Sequence, residues 1–383
     1  MRRTIALASL SVVLFWTCSS SKKIAYNNGN ISISKLKFLS EYDVPNAKQF
    51  AHTTIGGLSG IDYDRRRDVY YLISDDRSAI NPARFYTAKI YLTENKIDSV
   101  EFVAVADFKT KQGTLYPNSR QDPFHTPDPE GIRYNPVQDE IVWSSEGERI
   151  VKAASNVLED PTIIAIHRDG NYKDSFALPS NMHMHATENG PRQNSVFEGM
   201  TFTGDNKYLF VNVEEPIYED GPRAGLNDST GWIRIIKFDA ATRQPIAQYA
   251  YKIEPVAYPA IPETAFKING VPDILWVRKN KLIVIERSFS TGRMACTIRV
   301  FLGDVSQADN IADLHSIVGQ AAVHPISKKL LLNMDDLGRY IDNIEGVTFG
   351  PVLSNGHCSL IFVADDNFSP LQKSQFLMFE VIP

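Results

Sequence analysis

With 383 residues, 43% hydrophobic and 22% charged, the chain has the composition of an ordinary globular protein with material for a large core. A formal net charge of −5 and the lack of a basic block argue against nucleic-acid binding. The 16 Tyr, 20 Phe and 4 Trp, with many Val, Ile and Thr, favour strands over helices.

Arg2 and Arg3 precede a short apolar run from Ile5 to Trp16, so residues 1–17 read as a secretory signal. The run is too short for a membrane span of about 20 apolar residues. Leu14-Phe15-Trp16-Thr17-Cys18 resembles a bacterial lipoprotein cleavage box, although Trp16 and Thr17 are bulkier than the usual small residues. On that reading Cys18 is the lipidated N-terminus and residues 18–30 are a polar tether. The mature protein, with a net charge of −7 once Arg2 and Arg3 are gone, is then held in the periplasm, at the outer membrane or at the cell surface. An ordinary signal peptide with an incidental cysteine is the alternative.

Residues 31–383 carry one design five times. A Gly and an apolar residue open one strand, and a strongly apolar second strand ends in acid. The first copy is Ser59-Gly60-Ile61-Asp62-Tyr63 with Val69 to Asp75-Asp76. The second is Glu130-Gly131-Ile132 with Glu140 to Glu146, and the third is Glu198-Gly199-Met200 with Tyr208 to Glu214-Glu215. From glycine to first acid is 15 positions in all three. The fourth copy, Pro272-Asp273-Ile274 with Lys281 to Glu286, lacks the glycine; the fifth is Glu345-Gly346-Val347 with Leu360 to Asp365-Asp366. Third strands follow at Arg84–Ile90, Gly231–Phe238, Ala295–Phe301 and Gln375–Val381. Repeats of this size, each of three or four strands, predict a single all-β domain folded as a β-propeller. Ile31 to Phe38 is expected to complete the last blade. Residues 304–342 fit poorly, as a degraded blade or a helical insertion; the count is five or six blades, with six expected.

In a propeller, equivalent positions face one another around an axis, so the strand-end acids converge on one mouth. Gathered like charges raise one another's pKa unless cations sit among them, and clustered carboxylates suit Ca²⁺. The candidate metal ligands are Asp75, Glu146, Glu198, Glu214, Glu286, Glu345 and Asp365. Arg77 and Arg287 stand where they would either pair with the acids or orient an anionic substrate, with Arg84, Arg293, Arg223 and Lys373 at related places. His125 is a candidate general acid or base beside Glu130, and His183-x-His185 a weak metal pair. The Glu-Gly pairs read equally well as turn caps between blades. Ser59 is not a nucleophile elbow, because Ile61 stands where the final Gly is required. Cys296 and Cys358 are either an exported-protein disulfide or two core thiols.

Gly57-Leu58-Ser59-Gly60-Ile61-Asp62-Tyr63, Ser74-Asp75-Asp76-Arg77, Asp128-Pro129-Glu130-Gly131, Asn194-Ser195-Val196-Phe197-Glu198-Gly199, Asp342-Asn343-Ile344-Glu345-Gly346 and Val363-Ala364-Asp365-Asp366-Asn367-Phe368 resemble the phytase-like family, over about residues 35–381. That resemblance implies kinship with β-propeller phytases, in which carboxylate-bound Ca²⁺ holds phosphate and activates water. The Lys and Arg cluster expected around a highly phosphorylated inositol is not evident. The expected function is a metal-dependent ester hydrolase acting on a small anionic ester, first a phosphoric monoester. Glu130, His125, Arg77 and Arg287 are the candidate catalytic residues, and the protein is expected to be a monomer bound to membrane through Cys18. A non-catalytic binding propeller and a carboxylic ester or lactone hydrolase are the alternatives.

Overall fold

The computed structural model describes residues 32–227 and 230–383; the expected leader, Cys18 and the tether lie outside them. Strand β1 (Lys35–Val44) and a small hairpin of β2 (Gln49–Phe50) and β3 (Thr53–Thr54) come first. Blade 1 consists of β4 (Gly60–Asp64), β5 (Val69–Ser74), β6 (Arg84–Thr93) and β7 (Lys96–Asp107). In blade 2, β8 (Pro129–Asn135) and β9 (Glu140–Ser145) are followed by a side hairpin of β10 (Glu148–Ile150) and β11 (Val157–Glu159). The blade is completed by β12 (Thr162–Ile166) and β13 (Tyr172–Ser175). Blade 3 is β14 (Phe197–Phe202), β15 (Tyr208–Val213), β16 (Trp232–Asp239) and β17 (Pro245–Lys252). Blade 4 is β18 (Lys267–Arg278), β19 (Lys281–Ser290), β20 (Thr297–Asp304) and β21 (Ser327–Asn333). Blade 5 is β22 (Asn343–Phe349), β23 (Ser359–Asp365) and β24 (Ser374–Ile382). Its outermost strand is β1, in register from Lys35 opposite Ile382 to Val44 opposite Ser374, so the two ends of the domain close the ring. Among the described residues no helix is long and apolar enough to cross a membrane.

The propeller therefore has five blades, not six. Residues 304–342 contribute β21 and a 3₁₀ turn, Met334–Leu337, to blade 4. The segment before β21 packs on blade 3, where Ile311 and Ile317 bury against Ala250. There the carbonyls of Ile311 and Leu314 accept from Arg234, itself buried in a pair with Asp220. An outer strand has only one neighbour, and β21 buries none of its residues, so it carries no alternating apolar signal.

Strands such as β5 and β9 are buried along their whole length because their sheets are covered on both faces, which explains their continuous apolar runs. Each blade-to-blade interface has its own apolar cluster. Between blades 1 and 2 it includes Tyr71, Phe85, Phe108, Ile132 and Trp143, with the Phe108 and Trp143 rings stacked at 4.2 Å. The innermost strands approach so closely that a Cβ on Gly131 would lie 2.3 Å from the Glu198 carbonyl oxygen, and one on Gly199 2.4 Å from Asp273 Cα. That close approach is what the repeated Glu-Gly glycine serves.

The fourth copy has Asp273 at the glycine position, and the difference is used. Both carboxylate oxygens of Asp273 accept from Arg133 Nη2 at 2.8 Å, and Oδ1 also accepts the Ile274 N–H and Oδ2 the Val347 N–H, each at 2.8 Å. Arg133 further donates to the carbonyls of Ile61, Ile274 and Val347. One buried ion pair thus ties together the inner strands of blades 1, 2, 4 and 5.

Candidate metal centre

The acids reach one mouth by two local devices. Asp75, Glu146 and Glu214 each follow directly on the second strand of a blade, and Asp365 ends one. Glu130, Glu198 and Glu345 lie in β-bulges of the innermost strands, where the register slips between Pro129 and Ile132, Phe197 and Met200, and Ile344 and Gly346. A bulge re-aims a side chain out of the pleat. Here it turns the glutamates toward the strand-end acids.

Ligand oxygens of Asp75, Asp128 and Glu130 lie within 4.8 Å of one another, and so do those of Glu130, Glu146 and Glu198. Glu130 belongs to both groups. Oxygens that bind one Ca²⁺ at about 2.3–2.6 Å stand at most about 5 Å apart, so each group fits one cation. Glu146 is satisfied on one oxygen by the Val196 N–H, while its buried Oε2 has no hydrogen-bond partner. A buried carboxylate oxygen without a donor is costly unless a cation completes it.

Burial, and then the negative charge of neighbouring acids, holds the carboxyl groups of Asp75, Glu130, Glu146 and Glu198 well above their ordinary range. Asp365 is raised in the same way by burial and Glu345. Burial pushes Asp128 up to about 6 against the pull of Arg77, and Glu345 up to about 7 against the pull of Arg287. Arg287 donates to Glu345 at 2.9 Å and Asn343 at 2.6 Å, and pairs with Glu214. It leaves the Asp75–Asp128–Glu130–Glu146–Glu198 side without a paired guanidinium except Arg77, which lies 3.8 Å from Asp128 and pairs with Glu148. Such a cluster can hold divalent cations and, through them, an anion.

Of the expected ligands, Asp75, Glu146, Glu198, Glu214, Glu345 and Asp365 are brought together with Glu130. Glu286 is not. Strand β19 points it between blades, where it is fully buried against Tyr251 Oη, Asn269, Lys328 and the Glu254 N–H. Arg287, one residue on, takes the inward place. His125 is also outside the site: its ring is 76% exposed and bonds Asp122. Arg77 and Arg287 are engaged by carboxylates, so both hold ligands in place before either can meet a substrate. Arg84 is buried on Asp76, Arg223 pairs with Glu215, Lys373 with Asp43, and Arg293 stacks on Tyr258. His183 bonds Asp160. Ser59 Oγ donates to the Glu130 carbonyl, an inter-blade contact. Cys296 and Cys358 form no disulfide. The expected ligand set omitted Asp128, although its place two residues before Glu130 matches Asn343 before Glu345.

A family model described as "Phytase-like: Esterase-like activity of phytase" matches residues 53–368. The chain belongs to the phytase-like family. That membership agrees with the motifs at the mouth, which lie within the matched span. A comparison with curated proteins finds no match. Solved structures similar to this phytase-like chain include a GH43_12 protein retrieved from capybara gut metagenome, at 11% identity and a TM-score of 0.44; the match covers 91% of this chain and 57% of that one. An alpha-L-arabinofuranosidase from Lactobacillus brevis is 10% identical with a TM-score of 0.43, over 85% of this chain and 91% of that one. A gluconolactonase from Xanthomonas campestris is 10% identical with a TM-score of 0.35, over 84% and 71%. The chain thus spans little more than half the length of the first of these.

Proposed function

We propose that this protein is an exported, Ca²⁺-dependent ester hydrolase whose first substrate class is phosphoric monoesters. The observation that carries the reading is the pair of three-carboxylate groups sharing Glu130, buried at the propeller mouth beside an oxygen of Glu146 that lacks a donor. Asp75, Asp128, Glu130, Glu146 and Glu198 would hold the cations. Bound Ca²⁺ would neutralise an anionic ester and lower the pKa of an attacking water. Arg287 fixes Glu214 and Glu345, and through Asn343 orders the blade 5 side of the cavity. Family membership supports ester chemistry, and the leader reading supports a lipid-anchored protein in the periplasm or at the outer membrane.

The test is a panel of phosphoric monoesters, carboxylic esters and lactones given to the purified mature protein with Ca²⁺ and with chelator. The reading expects Ca²⁺-dependent release of phosphate, reduced at least 100-fold by Glu130→Gln. Chelator-insensitive turnover, or no turnover of any ester, would overturn it.

A further inference from the structure

The carboxylates share their cavity, about 630 Å³, with a second kind of wall. Asp75, Glu130 and Glu198 line it from blades 1 to 3 and Glu345 and Asp365 from blade 5, while Phe266, Phe289 and Met294 line it from blade 4 and Leu371 from a loop of blade 5. Met294 is 77% exposed, Leu371 79% and Phe266 53%. Ile261 lies close by, packed on Gly292 and 71% exposed. The Phe266 and Phe289 rings stand 6.2 Å apart. Large apolar side chains left in water singly are ordinary, but a contiguous set at the edge of a polar cavity marks a binding surface. Its position has a cause in the sequence. The fourth repeat is the one that lost its inward acid, with Glu286 turned away and Asp273 in place of glycine, so Phe266, Phe289 and Met294 rise where the carboxylate ring is broken.

We infer that the ester cleaved at this mouth is amphiphilic: an anionic head held on the carboxylate side and a hydrocarbon group lying on Phe266, Phe289, Met294 and Leu371. The inference rests on the hydrolase reading for its head group. A small polar phosphate would leave the apolar wall in water. A linear or aryl hydrocarbon of several carbons covers it, and the cavity has room for both parts. Because the head is gripped through charge and the tail through area, the two contributions are separable.

The experiment titrates the mature protein, in Ca²⁺, with a series of non-hydrolysable alkyl phosphonates from methyl to octyl, and measures hydrolysis of the matching alkyl phosphates in parallel. Affinity is expected to rise roughly two- to fourfold per methylene over the first several carbons, the range that follows from apolar burial. In the doubly substituted Met294→Ser, Leu371→Ser protein, the series flattens while the methyl phosphonate binds as before. Both positions are exposed, so the substitutions leave the core intact. Chain-length-independent affinity, an unchanged slope in the double variant, or no binding by any phosphonate would overturn the inference. So would loss of binding to phosphatidylcholine vesicles with no change in the phosphonate slope, which would make the rim a membrane contact. A rising slope without turnover of any alkyl phosphate would instead overturn the hydrolase reading and leave the apolar subsite standing.

Discussion

Removing the cation should leave a protein that weakens as pH rises, and two carboxyls at the mouth set a lower bound on the effect. Asp128 moves from an ordinary 3.8 to about 6 and Glu345 from 4.5 to about 7, in both cases because burial disfavours the charged form. A raised carboxyl pKa means that the folded state binds protons more firmly than the unfolded chain. The contribution of these two groups to stability without metal is therefore greatest below pH 4 and falls as pH climbs through the raised values; Asp75, Glu130, Glu146, Glu198 and Asp365, raised by the same burial, act in the same direction. Integrating both groups between pH 5.5 and 8 gives a loss of about 3 kcal/mol, most of it from Glu345. With an unfolding entropy of ~2.1 cal/mol/K per residue, a domain of about 350 residues loses roughly 4 °C of Tm for that amount. Saturating Ca²⁺ displaces the protons and supplies the missing counter-charge, so its Tm should change little over the same range. The assay is calorimetry of the mature protein at several pH values, with chelator and with Ca²⁺. A Tm gap between the two that widens toward pH 8 fits the argument. A gap that is absent, or that narrows as pH rises, refutes it.

Other perturbations separate the site from the scaffold. Asp273→Asn should cost ~3–5 kcal/mol in urea unfolding, because it strands the buried Arg133 guanidinium; a loss under 1 kcal/mol would show that the central pair does not tie the blades. Glu286→Gln should destabilise the fold, having lost its pairing with Lys328, yet bind as many Ca²⁺ ions as the parent; a lower stoichiometry by elemental analysis would return Glu286 to the site. His125→Ala should keep kcat/KM within about twofold across pH 6–8, and a larger loss would contradict its placement in solvent. At pH 8 a thiol reagent should label the partly buried Cys358 and spare Cys296, whose thiol burial pushes up to about 12; peptide mapping that finds a disulfide or the reverse order would contradict the structure.

The propeller was legible because its blades bury both faces of their middle strands, and that leaves unbroken apolar runs such as Val69–Ile73 and Ile141–Trp143. The ring closure was expected over Ile31 to Phe38; the strand starts at Lys35 and runs on to Val44, buried only at intervals because it is an outer strand. Blade number was harder. The stretch from Val305 to Ile326 fills the groove beside Arg234 instead of pairing in a sheet, and β21 has no buried face to show a period of two. For the site, the repeat found Asp75, Glu146, Glu214 and Asp365 at the strand ends and Glu130, Glu198 and Glu345 beside the glycines, since bulge and strand end recur with it. It failed at Glu286, where the copy without the glycine turns the acid toward Tyr251 and presents Arg287. It left out Asp128 because no acid recurs at that place: the matching residue is Val196 in the third copy and Asn343 in the fifth. Histidine placement was not readable at all: His125 stands two residues from Pro127, in a loop whose direction only the assembled blade fixes.

The most direct measurement is anomalous diffraction from crystals of the mature protein grown in Ca²⁺, compared with Glu130→Gln. Two ions are expected, one against Asp75, Asp128 and Glu130 and the other against Glu130, Glu146 and Glu198, with at least one lost in the variant. Density that stays empty between those carboxylates, with calcium only on the outer surface of the blades, would contradict the account.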